Sequence, residues 1–159
     1  MPSPDSSASF IPVCEPLLDG REREYVMAAL KTTWISSVGP YITRFEEAFS
    51  RYCGVREGVA CSSGTAAIHL ALAALGIGPG DEVIVPCFNL IVGATTVIWT
   101  GARPVFVDAD PATWCLDPAG IEEKITRRTK AILAVHLYGH PCDMDAINAI
   151  ARRRGLRVV

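Results

Sequence analysis

The stretch that decides the fold is residues 80–110, GDEVIVPCFNLIVGATTVIWTGARPVFVDAD. Its apolar runs predict strands at residues 82–85 and 104–107, with a helix near residues 90–100 between them. Strands made of continuous Val and Ile runs are typical of a sheet covered on both faces, because both sets of side chains are then buried. The stretch therefore predicts a βαβ unit with parallel strands and a right-handed crossover.

The same alternation continues on both sides of this unit. Apolar runs predict further strands at residues 58–61, 131–136 and 156–159. Helical spacing predicts helices near residues 19–33, 41–53, 65–75, 117–126 and 143–154, with Asp19 as the N-cap of the first and Gly54 and Gly155 as C-terminal stops. The expected fold class is α/β, a three-layer α/β/α arrangement around a mostly parallel sheet. Residues 1–10, rich in Ser and Pro, predict a flexible tail, and no linker divides residues 11–159.

Composition and charge narrow the function classes. The 159 residues carry 15 Lys+Arg against 17 Asp+Glu, a formal charge of −2 that disfavours nucleic acid and anionic membranes as partners. The Arg run at residues 152–154 is typical of a helix C-terminus, although a nucleic-acid patch is the alternative. Without a signal peptide or a long apolar run, the chain is expected to be cytoplasmic.

Cysteine and histidine spacing predicts no metal site. The six cysteines never form a C-x-x-C pair, and each is expected to act as a small apolar residue in the interior. His136 and His140 are four residues apart, but they lie in a predicted strand and turn rather than on a helix. His69 is expected to be a packed or surface histidine.

A candidate anion site lies at Ser62-Ser63-Gly64-Thr65, where an apolar run leads directly into an Ala/Leu-rich helix. A helix N-terminus presents unpaired backbone N–H groups and the positive end of the helix dipole, which suits a phosphate. Plain N-capping by Ser62 or Ser63 is the alternative. The loop is neither G-x-G-x-x-G nor a Walker P-loop, so a dinucleotide-binding oxidoreductase is only weakly supported.

A second candidate lies after the strand at residues 82–85. Phe88 and Leu90 leave the predicted sheet on the same side as Gly64, within reach of a ligand whose phosphate is bound there. Burial of both side chains in the core is the alternative.

Taken together, these segments resemble the DegT/DnrJ/EryC1/StrS sugar aminotransferases. The motifs occur in the family's order over residues 11–159, and residues 34–41 are most similar to members that make perosamine-type sugars. The motifs are GPY (39–41), FEE (45–47), SSGTAA (62–67), GDEVIVP (80–86), PVFVD (104–108) and HLYGHPCDM (136–144).

The resemblance implies a fold-type I enzyme dependent on pyridoxal 5'-phosphate. Such enzymes are homodimers that aminate nucleotide-linked keto sugars, with an amino donor such as glutamate. Gly64 and Thr65 match the residues that hold the cofactor phosphate. Leu90 stands where the family usually has an aromatic residue on the cofactor ring, so either Leu90 or Phe88 is expected to cover that ring.

Two groups that this chemistry requires have no match among these residues. A lysine must hold the cofactor and shuttle a proton, and a carboxylate must pair with the pyridine nitrogen. Lys31, Lys124 and Lys130 are expected to be surface charges, and the family's carboxylate and lysine follow the segment matching residues 156–159.

Residues 11–159 are therefore expected to be the N-terminal part of the cofactor-binding large domain, with no catalytic residue, weak or no cofactor binding and no activity alone. A phosphate-binding remnant that pairs with a full-length homologue is one alternative function. A sugar dehydratase on the same scaffold is the other.

Overall fold

The structure, a computed structural model, describes residue 12 and residues 14–159, so the tail predicted for residues 1–10 lies outside the described residues. Within them, six helices and four strands follow one another along the chain. The helices are α1 (Glu22–Thr32), α2 (Pro40–Cys53), α3 (Gly64–Ala74), α4 (Val92–Trp99), α5 (Ile121–Lys124) and α6 (Met144–Arg154). The strands are β1 (Glu82–Pro86), β2 (Arg103–Val107), β3 (Thr129–Ile132) and β4 (Arg157–Val158).

The chain divides into two compact units, one extending to Val59 and the other from Ala60 to Val159. No Pro- or Ser-rich linker marks the boundary between the two units. The predicted strand at residues 58–61 was wrong. An apolar run of four residues does not by itself distinguish a strand from another segment.

The first unit contains α1 and α2. Helix α1 begins at Glu22, and its N-cap position, Arg21, makes no side-chain capping bond. Asp19 was therefore wrongly predicted as the cap. Helix α2 starts with Pro40, whose fixed φ suits a first turn, and ends at Gly54 in the left-handed conformation at φ 69°, as predicted.

The second unit contains a four-stranded parallel sheet in the order β2-β1-β3-β4. The predicted parallel βαβ unit is confirmed by β1, α4 and β2. Strand β3 ends at Ile132, earlier than predicted, and the predicted helix at 117–126 is a 3₁₀ turn at Pro118–Gly120 followed by the short α5. Asp117 caps this segment by accepting the N–H of Ala119, and the helical conformation ends after Lys124 because Ile125 is extended.

Two apolar cores lie on opposite faces of this sheet, because successive strand side chains point to opposite sides. One core joins the sheet to α3 and α4 and includes Leu72, Val83, Val85, Val97, Ala131 and Leu133. The other joins it to α5 and α6 and includes Ile84, Val107, Ile121, Ile132, Ile147 and Ile150. This arrangement confirms the three-layer α/β/α fold.

The cysteines follow a different pattern from the predicted one. Cys115 and Cys142 are buried as expected, but the other four are exposed: Cys14, Cys53, Cys61 and Cys87. Apolar neighbours in sequence do not secure burial where the residue lies in a loop or at a helix end. In the part of the chain that the structure describes, no helix is long and apolar enough to cross a bilayer.

Candidate ligand site at the carboxyl edge of the sheet

The carboxyl ends of the four parallel strands meet at one edge of the sheet. From β1 the chain moves outward to β2, then returns past β1 to form β3 on its other side. The loops after β1 and β3 therefore diverge at the carboxyl ends of two adjacent strands. In open α/β sheets, ligands bind at such a switch point.

Helix α3 directs its N-terminus towards this edge. The helix ends at Ala74, and residues 75–81 lead from there into the amino end of β1 at Glu82. An eleven-residue helix is about 16 Å long, so its first turn lies well towards the opposite end of the strand. Strand β1 is followed by α4 and β3 by α6, so these helices also begin on the carboxyl side.

Ser63 is the N-cap of α3. Its Oγ accepts a hydrogen bond from the N–H of Ala66 at 3.2 Å, and its carbonyl accepts one from Ala67 at 3.0 Å. The N–H groups of Gly64 and Thr65 lie ahead of these bonds and have no acceptor among the residues described. Capping and anion binding are thus compatible, since the cap uses a different amide from the two that remain.

Open space lies beside the first turn of α3. A Cβ built on Gly64 would meet no atom within 4 Å. Two free amides, the positive end of the helix dipole and this open space together fit a phosphate group.

Leu90 and Phe88 follow β1 at the same edge, and neither is part of the buried core. Leu90 is 74% exposed and Phe88 is 40% exposed. The ring of Phe88 meets the ring of Trp114 edge to face, with 5.4 Å between centroids. The alternative that both side chains are core residues is therefore wrong for this structure.

The loop after β2 brings Asp108 beside β1. The Sγ of Cys87 donates to Oδ1 of Asp108 at 3.2 Å. Although Cys87 is exposed as a residue, partial desolvation of its sulfur and the neighbouring Asp108 carboxylate raise the pKa of the thiol. A protonated thiol is a poor nucleophile, so this environment disfavours nucleophilic chemistry by Cys87.

His136 leaves the sheet after β3, and its Nδ1 accepts a hydrogen bond from the N–H of Cys142 at 3.1 Å. This bond places the proton of the neutral imidazole on Nε2. No group of three or more metal-ligating side chains occurs in the described ranges. His69 is half-buried and packs edge-on against Trp99, with ring centroids 5.8 Å apart.

The three lysines are exposed, as predicted. Lys130 lies within β3 rather than before it, and its Nζ is 4.0 Å from Oδ1 of Asp81, next to the start of β1. This places Lys130 at the amino edge of the sheet, away from the candidate site.

A buried carboxylate at the amino edge was missed by sequence analysis. Glu82, 1% exposed, accepts hydrogen bonds from Thr126 at 2.6 Å and from the guanidinium groups of Arg103 and Arg128. The Thr126 hydroxyl and Arg103 lower the pKa of Glu82 to about 2. The cluster links the starts of β1, β2 and β3 at the edge opposite the candidate site.

Comparison with known proteins identifies the relatives of this chain. GDP-perosamine synthase from Caulobacter vibrioides is 58% identical over 149 residues, which cover 94% of this chain and 40% of that protein. The GDP-perosamine synthase of Escherichia coli O157:H7 is 51% identical, covering 94% of this chain and 41% of that protein. The chain therefore spans about two fifths of the length of these curated relatives.

A solved structure shows the same relationship. NtdA from Bacillus subtilis, solved with the bound cofactor PMP, is 44% identical with a TM-score of 0.80, covering 85% of this chain and 31% of that one. The family match itself extends over residues 16–159. With its parallel sheet, its α3 N-terminus and these sequence identities, the chain belongs to the DegT/DnrJ/EryC1/StrS aminotransferase family.

Proposed function

We propose that residues 11–159 are part of the large domain of a sugar aminotransferase and hold the phosphate of pyridoxal 5'-phosphate. The observation that carries this proposal is the first turn of α3. The N–H groups of Gly64 and Thr65 lie ahead of the Ser63 cap, beside open space. A phosphate dianion at this position would accept hydrogen bonds from both amides and interact favourably with the helix dipole. The hydroxyl of Thr65 offers a further donor.

Leu90 is assigned to the face of the cofactor ring. Phe88 is already in edge contact with Trp114, whereas Leu90 is mostly exposed just before α4. A leucine offers an apolar surface that excludes water but lacks aromatic stacking. This assignment predicts a weaker contact with the ring than a Phe, Tyr or Trp at the same position would make.

The names of the relatives support a proposal for the substrates of this protein. The proposed reaction transfers an amino group from a donor such as glutamate to a keto sugar linked to a nucleotide, GDP being the nucleotide in the names of both perosamine synthases. The bound cofactor supplies an electron sink for this transfer. The proposed enzyme acts as a cytoplasmic homodimer.

The residues of this chain bind and orient rather than transfer protons. Gly64 and Thr65 fix the phosphate, and Leu90 covers the ring. None of the three lysines is assigned to the cofactor, since Lys130 lies at the amino edge and Lys31 and Lys124 are exposed on helices.

Amide NMR of the ¹⁵N-labelled chain tests the proposal. Pyridoxamine phosphate is the probe, because it does not react with lysine amines as an aldehyde does. We expect it to move the Gly64 and Thr65 resonances, and inorganic phosphate to move them in the same direction. Pyridoxamine, which lacks the phosphate, serves as the matched ligand control and should leave both resonances in place.

Two variants distinguish a loss of phosphate binding at the site from a general effect on folding. Thr65→Val removes the hydroxyl at the site, whereas Thr43→Val makes the same change on the exposed surface of α2. We expect only the first to weaken pyridoxamine phosphate binding. Because this chain is expected to bind the cofactor weakly, the probe is used at millimolar concentration, and unmoved Gly64 and Thr65 resonances there would refute the proposed phosphate site.

A further inference from the structure

Trp114 is held in an unusual backbone conformation. Its φ is +62°, in the left-handed region that side chains other than those of Gly, Asn and Asp seldom adopt. Its indole is nevertheless 56% exposed. The strain is therefore not compensated by burial of the indole in the core.

The surrounding loop holds this conformation through several bonds. Asp110 accepts the N–H of Trp114 on its carbonyl at 2.7 Å, and its own N–H donates to the carbonyl of Cys115 at 2.9 Å. The Asp110 carboxylate also accepts from the N–H groups of Ala112 and Thr113 at 2.7 and 2.9 Å. An antiparallel bridge between Ala109 and Leu116 closes the base of the loop. Strain maintained by this many contacts points to a role for the side chain that it presents.

The indole is presented at the carboxyl edge of the sheet. Phe88, two residues beyond the end of β1, meets the Trp114 ring at an interplanar angle of 73°. An edge-to-face contact orients one ring while leaving faces of the other open to a ligand. Cys115, the next residue, is buried, and its Sγ donates to the carbonyl of His140 at 3.3 Å. The loop is thus anchored directly behind the exposed ring.

We propose that Trp114 is a stacking platform for the purine base of the nucleotide-linked substrate in the proposed reaction. This inference rests on the proposed function, because the guanine nucleotide comes from the relatives' substrates. The proposal assigns Leu90 and Trp114 to different rings, Leu90 to the cofactor and Trp114 to the base. Stacking on an exposed aromatic ring binds a base through its π-face and requires no hydrogen-bond readout.

Fluorine NMR of the chain labelled with 5-fluorotryptophan tests this assignment. The protein has three tryptophans, and single Trp→Phe variants assign the three signals. GDP is the main probe, inorganic pyrophosphate lacks the base, and pyridoxamine phosphate offers a different aromatic ring. We expect GDP to shift the Trp114 signal saturably and pyrophosphate to leave it in place. The Trp34 and Trp99 signals, from indoles that are 56% and 59% exposed, are internal controls.

Variants give a second readout, the affinity for GDP measured from the nucleotide's own proton signals. Trp114→Asn removes the ring but suits the left-handed backbone, and it should weaken GDP binding by about fivefold or more. Trp114→Phe retains a ring and should lose less. Trp99→Ala, which removes an equally exposed indole from α4, should leave the affinity unchanged.

Three results would overturn the platform: no Trp114 shift at saturating or millimolar GDP, an equal shift with pyrophosphate or pyridoxamine phosphate, or unchanged affinity in Trp114→Asn. The proposed function is refuted by a different result. If GDP moves Trp114 while pyridoxamine phosphate leaves Gly64 and Thr65 unmoved, the platform stands and the phosphate site does not. If the reverse is found, only the platform is refuted.

Discussion

The Sγ of Cys115 donates a hydrogen bond to the carbonyl oxygen of His140 at 3.3 Å, which ties the loop after β2 to the loop after β3. Cys142 lies in the same core cluster, and its Sγ donates to the carbonyl of Val135 at 3.0 Å. Burial, together with the neighbouring Cys115, raises the pKa of the Cys142 thiol. Both thiols therefore donate hydrogen bonds that fasten the loops at the candidate site.

This arrangement predicts selective alkylation. In the folded chain at neutral pH, iodoacetamide should modify the exposed Cys14 and Cys53 rapidly and leave Cys115 and Cys142 protected, because only accessible thiolates react. Peptide mass spectrometry after a time course measures each site. Complete labelling in urea is the control, and early modification of Cys115 or Cys142 in the native protein would contradict their burial.

The Ser63 cap predicts a local stability effect. Ser63→Ala removes the acceptor of the Ala66 N–H bond and should lower the free energy of unfolding by about 1 kcal/mol. Urea denaturation followed by circular dichroism measures this change. Ser62→Ala is the matched control, since the Ser62 hydroxyl has no hydrogen bond among the described residues, and it should change stability by less than about 0.5 kcal/mol. Equal losses in the two variants would argue against the cap.

A side chain added at Gly93 in α4 is expected to collide with its neighbours. A Cβ on this buried glycine would lie 2.9 Å from the Nδ2 of Asn89 and 3.2 Å from Cδ2 of Leu133. Gly93→Ala should therefore lower stability by about 1–3 kcal/mol, although alanine favours the helix. Gly78→Ala is the control, because its Cβ would make an ordinary contact of 3.7 Å with the carbonyl of Thr100. Thermal denaturation of both variants measures this change in stability. A stabilised Gly93→Ala would show that Asn89 and Leu133 can move to accommodate the added methyl group.

Glu82 predicts a pH dependence of stability. Its pKa is about 2 in the folded chain against 4.5 for the ordinary side chain. Because the folded pKa is the lower one, the contribution of Glu82 is fully present above pH 4.5 and is lost as the pH falls towards 2. A carboxyl pKa lowered from 4.5 to about 2 corresponds to a contribution of about 3 kcal/mol.

Glu82→Gln should therefore lower stability at pH 7 and flatten the fall in stability between pH 4.5 and 2. Urea midpoints across this range measure the effect. Glu57→Gln, which alters a carboxylate that is 77% exposed and forms a surface ion pair with Arg56, should have little effect at any pH. Parallel pH profiles of wild type and Glu82→Gln would contradict the role given to the buried cluster.

Much of the second unit could be predicted from local patterns. The Val/Ile runs at β1 and β2 locate two strands, and the period of α6 with Asp143 before it and Gly155 after it locates a helix. These signals work because side-chain periodicity and capping act over a few residues. They fail at residues 58–61 and at Asp19, where a short apolar run or a single polar residue suits more than one local structure.

The candidate site was predictable in part. Ser63 and Gly64 are recognisable because a polar, glycine-containing loop precedes an Ala/Leu-rich helix. Trp114 was missed, although Asp110 followed three residues later by Thr113 is a turn signal that could have found its loop. Its contact with Phe88 joins residues 26 positions apart, which no local pattern reports.

The sequence alone determined the α/β class, the parallel character of the sheet and a helix beginning near Thr65, one residue after its start in the structure, since each depends on residues adjacent along the chain. Only the tertiary structure decided that Leu90 is exposed, that Glu82 is buried among two arginines, and that Trp114 lies against Phe88. The physical reason is that burial and long-range contacts depend on strand order. Here β1 lies between β2 and β3, which brings the loops after all three strands to one edge.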